Sequence, residues 1–353
     1  MNQKFDLRDI AIIPAIVSNI KSRSECGTKY QTGYLPLIAS PMDTVVCKKN
    51  ASVFTDNAIH PCMPRGEYIE KDICFQSFGL EELEKQLALT DVFIKDEKGT
   101  IHLETEYCDK PFFDYSYILI DIANGHMKRL LDVVKKIKKH WPHINLMVGN
   151  VAHPLTYKNL AMVGADYVRC SIGTGAGCTT AANVAINYPL GSLIYECRKE
   201  KEKGDFDTKI VADGGMQGYD DIIKALALGA DYVMIGSLFN KAMQSAGYNY
   251  LWKIKLPYNI AKNLWKWGLP VKKKYRGMST KSVQRNWGKT KLVTAEGITK
   301  YQKIEYNLSQ WVENFEDYLK SNMSYCGCKD IKEFVGNVEW VYITNNAYQR
   351  FKK

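Results

Sequence analysis

One five-residue word occurs twice in this chain and sets the scale of its folding unit. Gly-Ala-Asp-Tyr-Val stands at 164–168, inside NLAMVGADYVRCSIGTG, and again at 229–233, inside IKALALGADYVMIGSLF. Each copy reads as an apolar helix, a tight glycine turn and a β-branched strand closing on a glycine-rich loop. Similar short runs recur at 35–40, 58–60, 73–79, 117–123, 144–149, 166–173, 209–214 and 231–237. Continuous apolar runs of this kind are strands of a parallel sheet buried on both faces. Helical patterns fall between most of them, at 80–89, 128–140, 156–163 and 220–228. Eight such strands alternating with helices predict an α/β chain folded as one (β/α)8 barrel spanning 1–353, without inserted domains. Chemistry in that architecture sits on the loops that follow the strands' carboxyl ends.

Composition narrows the class. The 353 residues are 46% hydrophobic and 24% charged, as in an ordinary globular chain. No run approaches the 18 apolar residues of a membrane span, and MNQKFDLRDI lacks the layout of a signal peptide, so a cytoplasmic protein is expected. Ten cysteines are then expected as thiols rather than disulfides, and Cys326-Gly-Cys328 is too tight for a zinc knuckle. The net charge of +10 admits nucleic acid, an anionic surface or small anionic ligands. The lysines at 135–139 keep helical period with apolar partners and read as a solvated helix face. Ordered basic and aromatic readers such as an RRM signature are absent, so no nucleic-acid partner is expected, and without an apolar span no membrane partner either. The basic and aromatic stretch 241–274 could be an amphipathic membrane or partner-binding element; since Pro257 and Pro270 interrupt any long helix, a barrel-covering insertion is the expected form.

The strand-end loops carry the chemistry. Gly173-Thr-Gly-Ala-Gly-Cys178-Thr179-Thr180 puts a cysteine at the apex of a strained loop with two hydroxyls behind it. That is the layout of an activated thiolate with a hydroxyl placed for proton transfer. Asp213-Gly214-Gly215 suits a ribose diol held by a carboxylate, with backbone close to a phosphate. Gly236-Ser237 offers small residues and N–H groups to the same anion, as the loops after the last two strands of such barrels often do.

Taken in order, these segments resemble the IMP dehydrogenase/GMP reductase family over nearly the whole chain. The matching stretches are FDLRDIAIIP and KSRSE near the start, LIASPMDTVV (37–46), IDIANGH (120–126), MVGNVA (147–152) and GADYVRCSIGTGAGCTT (164–180). NYP (187–189), VADGGMQGYDDIIKALALGADYVMIGS (211–237), YRGMS (275–279), AEG (295–297) and MSYCGCKDIKEF (323–334) follow. The resemblance implies a barrel enzyme acting on a purine nucleoside monophosphate, with Cys178 attacking purine C2. It implies that Asp213, Gly214, Gly215, Gly236, Ser237 and Tyr275 hold ribose and phosphate, and Gly277, Met278, Ser279 and Gly297 the base. Asp121, Ile122, Ala123, Asn124, Ile172 and Gly173 would meet the nicotinamide cofactor, with Ser22 and Arg23 arriving from a neighbouring subunit. Carbonyls of Gly173, Gly175, Cys178 and Ala181 would hold a potassium ion, and a homotetramer is implied.

Both branches of the family pass through a thioimidate at C2. The reductase forms it from GMP with loss of ammonia and reduces it with NADPH to IMP; the dehydrogenase forms it from IMP and hydrolyses it to XMP. Four features resemble the reductase. Only a short segment separates Met63 from Phe75, where dehydrogenases carry regulatory domains. The flap, expected at 279–300, has only 17 residues between Met278 and Glu296 and no Arg-Tyr pair. Cys-Thr-Thr stands at 178–180, and Asn124 follows Ala123. Thr180 and Glu296 would then be the proton pair that helps ammonia leave. The expected activity is NADPH-dependent GMP reductase, with an IMP dehydrogenase of shortened flap as the alternative. Against the reductase pattern, His60-Pro61-Cys62 stands where His-Lys-His is usual, Ala181 and Val293 where arginines are, and Tyr275-Arg276-Gly277-Met278 is nearer the dehydrogenase form.

Overall fold

The structure, a computed structural model, describes residues 3–69, 74–93, 111–286 and 294–351. Fourteen strands are formed among them. They are β1 (Ile10–Ile12), β2 (Leu37–Ala39), β3 (His60–Pro61), β4 (Gln76–Phe78), β5 (Tyr117–Asp121), β6 (Asn145–Val151), β7 (Tyr167–Cys170), β8 (Lys209–Asp213), β9 (Tyr232–Ile235), β10 (Asn249–Leu251), β11 (Ile254–Leu256), β12 (Lys272–Arg276), β13 (Thr299–Lys303) and β14 (Trp340–Tyr342). Strands β2 to β9 form one parallel sheet in the order β3-β2-β9-β8-β7-β6-β5-β4. A parallel bridge between Cys62 and Phe75 joins its two edges and closes the (β/α)8 barrel. All eight runs read from the sequence lie in it.

The repeated word has a clear physical task. Gly164 and Gly229 sit at φ +96° and +111°, which a side chain would oppose. The aspartate two residues later reaches to the start of the neighbouring strand. Asp166 accepts from the Leu146 N–H at 2.7 Å and from Lys138 at 2.8 Å; Asp231 does the same with the Ile210 N–H and Lys201, both at 2.8 Å. Each copy thus satisfies a strand-start donor that would otherwise be left unpaired beneath the barrel. The tyrosines that follow, Tyr167 and Tyr232, join Phe75 and Tyr117 in an aromatic floor. Above it Ile38, Leu119, Met147, Val211 and Met234 fill the interior, all fully buried.

Outside the barrel, β1 pairs with β14, and β10 to β13 make a four-stranded antiparallel sheet in the order β11-β10-β12-β13. The segment 241–274 supplies three of those strands and the helix Tyr258–Lys266. The two prolines bound that helix as expected: Pro257 stands at its N-cap, where proline's missing N–H costs nothing, and the helix ends before Pro270. Met243, Ala261, Val271 and Ile304 form a small separate core between helix and sheet. No helix among the described residues is long and apolar enough to cross a membrane. The nine described cysteines are free thiols.

Candidate active site

A cavity of about 400 Å³ opens at the carboxyl ends of the barrel strands. Cys178, Thr180, Glu296, Asp213 to Gly215, Gly236, Ser237, Tyr275, Gly277 to Ser279, Asp121, Ala123, Ile172, Gly173 and Gly175 all line it. The sequence therefore placed its candidates from six separate loops around one space.

The cysteine loop is held by backbone pairing. Cys178 N–H closes a turn on the Gly175 carbonyl at 2.9 Å, and Cys178 bridges to Gly297 as a short antiparallel pair. Thr179 N–H donates to the Glu296 carbonyl at 2.8 Å, and Ile298 N–H to the Gly177 carbonyl at 3.0 Å. A Cβ on Gly277 would lie 2.5 Å from the Gly177 carbonyl, so only glycine lets these loops meet. This pairing aligns three side chains. Cys178 Sγ lies 3.1 Å from Thr180 Oγ1, and Thr180 Oγ1 donates to Glu296 Oε2 at 2.5 Å. A thiol, a hydroxyl and a carboxylate in line form a path along which a proton can move to or from a group bound at the sulfur.

Beside this line runs a buried charge network. Arg169 on β7, only 6% exposed in its side chain, spans two carboxylates: Nη1 donates to Asp121 Oδ1 and Nη2 to Asp213 Oδ2, each at 2.8 Å. Asn150 also donates to Asp213 Oδ2, at 2.7 Å, and Arg65 pairs with Asp121 at 3.3 Å. Burial alone would raise the Asp121 carboxyl, but the charges of Arg65 and Arg169 outweigh it and hold its pKa below the usual range. Burial alone would lower the Arg169 guanidinium; Asp213 and Asp121 reverse this and raise it. Both bonds to Asp213 go to Oδ2, so Oδ1 remains an acceptor at the cavity wall.

Gly214 and Gly215 take φ +76° and +83°, the left-handed backbone that glycine alone adopts freely. The Tyr275 hydroxyl points at Met42 Sδ at 3.7 Å, and a Cβ on Gly236 would crowd that sulfur at 2.8 Å. Burial pushes the Tyr275 phenol up, so it stays a neutral donor. Ser237 Oγ donates to Gln302 Oε1 at 3.0 Å.

Other candidates lie off the cavity. Ile122 exchanges backbone bonds with Gly149 and Asn150, and Asn124 accepts from the His126 N–H within its own turn. Ser22 caps the 3-10 turn Arg23–Glu25, and Arg23 pairs with Asp317 at 3.5 Å against the helix Leu308–Cys326. Ala181 packs under Gly173, and the Gly175 carbonyl already accepts the Cys178 N–H. His60 stacks on Tyr34 at 4.4 Å and Cys62 faces Ser77, so neither lines the cavity. Val293 and part of the expected flap fall outside the described residues.

Arg65, Arg169, Asn150 and Met42 line the cavity and were not anticipated. For Arg169 the signal was present. In the two copies of the repeat it occupies the position of Met234, an ionised side chain where its twin is a core methionine.

The chain is similar in sequence to proteins of one family. The model of the IMP dehydrogenase / GMP reductase domain matches residues 113–351. GMP reductase of Bacillus licheniformis is 29% identical over 355 residues, covering 99% of this chain and 98% of that protein. GMP reductase of Caenorhabditis elegans is 26% identical over 365 residues, covering 99% and 95%. Inosine-5'-monophosphate dehydrogenase of Chlorobaculum parvum is 36% identical over 228 residues, 65% of this chain; the match spans only 45% of that dehydrogenase. The family match begins just before β5 and carries every strand-end loop from Asp121 onward, the cysteine loop included: the chain belongs to the IMP dehydrogenase/GMP reductase family.

Proposed function

We propose that the chain is a GMP reductase: GMP, NADPH and two protons give IMP, NADP and ammonium. The observation that carries this reading is the line from Cys178 Sγ through Thr180 Oγ1 to Glu296 Oε2. A leaving ammonia needs a proton delivered beside the C2–sulfur bond, and that line ends at the sulfur.

Asp213 Oδ1 accepts from the ribose diol. The Gly214 N–H is held by the Met234 carbonyl at 3.2 Å, so the N–H groups of Gly215, Gly236 and Ser237, with the Tyr275 hydroxyl, take the phosphate. Gly277, Met278, Ser279 and Gly297 border the base. The Cys178 thiolate adds to C2 and the C2–N bond breaks, Thr180 passing a proton from Glu296 to the departing amine. Hydride arrival at C2 and cleavage of the C–S bond then give IMP and restore the thiolate. NADPH supplies the hydride when bound. Asp121, Ala123, Ile172 and Gly173 fit it, because they line the same cavity as the thiol. Gly173, at φ +84°, leaves a bare backbone edge where any Cβ would meet Ala181 at 2.8 Å. Arg65 takes the place of the lysine that family reductases carry near Pro61, as the loop's cation at the cavity. The Gly173, Gly175 and Cys178 carbonyls have the donor type a monovalent cation takes, with one lone pair of Gly175 already used.

Coverage of nearly the full length of two reductases supports this reading. The higher identity to a dehydrogenase over 228 residues favours the second one, oxidation of IMP to XMP. Incubation with GMP and NADPH, followed at 340 nm with identification of the purine product, tests the proposal. IMP is expected from the wild type, and no turnover from Cys178→Ala. XMP formed from IMP and NAD, with GMP inert, reverses the ranking.

A further inference from the structure

The segment 241–274 contains eight lysines and no aspartate or glutamate, so most of the chain's +10 charge is concentrated in it. The sheet it builds sorts those lysines by strand alternation. On one face lie Asn249, Leu251 and Lys273, all buried. On the other, cross-strand partners are Lys255 with Tyr250, Tyr250 with Lys272, Lys272 with Lys303, and Lys274 with Tyr301. Tyr248 extends the set, its carbonyl accepting the Lys274 N–H and its ring lying 3.4 Å beneath Lys255 Nζ.

This outer face alternates cations with aromatic rings. Tyr248 and Tyr301 are 56% and 52% exposed, and Lys255, Lys272 and Lys303 are exposed as well. Tyr250 and Tyr301 meet edge to face at 5.0 Å, so their ring positions are mutually fixed. Lys272 stands directly opposite Lys303, a like-charge pairing that weakens a sheet. Among the described residues no carboxylate forms an ion pair with Lys255, Lys272, Lys274 or Lys303. The face is therefore complementary to a flexible polyanion carrying flat apolar groups.

We propose that this face binds single-stranded nucleic acid, its lysines on phosphates and its tyrosines under bases. Stacking on sheet aromatics with cations tracking the backbone is how single strands are held without sequence preference. The face carries no aliphatic side chain to enter a bilayer; exposed Trp252 and Ile254 lie at the hairpin end, off it. Its residues come from strands on both sides of the flap, so no contiguous motif marks it in the sequence.

The test is fluorescence anisotropy of a labelled oligothymidylate with the full chain, between 50 and 200 mM KCl. Four phosphate contacts predict a slope of log K against log salt of about −2.8, a loss of ~50-fold across that range. Lys272→Gln with Lys303→Gln should reduce the slope by about 1.4 while leaving the melting temperature no lower. Tyr301→Ala should weaken binding about ten-fold, and Tyr301→Phe should restore it, since the ring and not the hydroxyl stacks. No binding at 50 mM KCl, or binding that ignores these substitutions, overturns the proposal. Retention on phosphatidylserine vesicles without oligonucleotide binding would give the face to a membrane. Self-association lost in Tyr301→Ala would give it to a second copy.

Discussion

Thr180→Val removes one oxygen from the centre of the site and little else. Valine keeps the β-branched shape at the first residue of the short helix Thr180–Val184, so the backbone has no reason to move. What disappears is the hydroxyl that stands between the Cys178 sulfur, 3.1 Å away, and the Glu296 carboxylate, 2.5 Å away. A hydrogen bond to a charged group is worth about 1.5–3 kcal/mol, and a positioned proton donor contributes 10²–10⁴-fold to rate. The middle of that range, about 10³ in kcat, corresponds to ~4 kcal/mol of barrier. Under the reductase reading the loss falls on ammonia departure and not on hydride transfer. The assay is therefore kcat with NADPH deuterated at the transferred position. In Thr180→Val the isotope effect should collapse toward unity as deamination becomes limiting. Glu296→Gln should behave alike, and the double variant should be no slower than the slower single, because the two act as one path. A slow Thr180→Val enzyme with an undiminished isotope effect would refute the assignment, as would additive losses in the double variant.

Arg169→Met leaves two carboxylates short of a cation inside the barrel mouth, though Asp121 keeps Arg65 and Asp213 keeps Asn150. A cost near 3 kcal/mol is expected, which for a chain of this length lowers the melting temperature by roughly 4 °C in a thermal scan. Gly214→Ala forces a side chain into φ +76° and sets a Cβ 3.2 Å from the Gly175 backbone, so the KM for GMP should rise about ten-fold, with a stability loss of about 1–2 kcal/mol. Lys273 is buried against the Ser245 and Gly247 carbonyls, and burial lowers its pKa to about 7 although Cys47 pulls upward. The unfolded chain then binds the extra proton between about pH 7 and 10.5, so stability should climb with pH across that window, by at most about 1.4 kcal/mol per unit. In urea titrations Lys273→Met should abolish that climb.

The barrel was legible because its strands are buried on both faces and its turns need glycine. Both constraints write themselves into contiguous residues, and the repeated Gly-Ala-Asp-Tyr-Val carries turn, strand-start acceptor and floor tyrosine in five positions. The thiol loop was legible for the same reason: Cys178, Thr179 and Thr180 are neighbours in sequence as in space. Arg65 and Asn150 were not, because what gives them meaning is Asp121 and Asp213, which lie on other strands. Pro257 and Pro270 were legible as limits on any long helix in 241–274, and the helix Tyr258–Lys266 lies between them; the strands that flank it were not, because their pairing partners include β13 from beyond the segment.

Strand β12 joins the two functions proposed for the chain. Its period of two sends Lys273 and Tyr275 inward and Lys272, Lys274 and Arg276 outward. Tyr275 lines the cavity that holds Cys178, while Lys272 and Lys274 stand on the open face one backbone thickness away. Arg276, at the strand's end, donates to Asp43 at 3.1 Å through Nε and to Ser282 at 3.0 Å, tying the outer face to the residues that open the flap. An anion drawn onto Lys272 and Lys274 acts on the same short strand that positions Tyr275 and Gly277. A strand so short and so paired cannot shift on one face alone, so oligonucleotide bound outside should change the KM for GMP more than kcat.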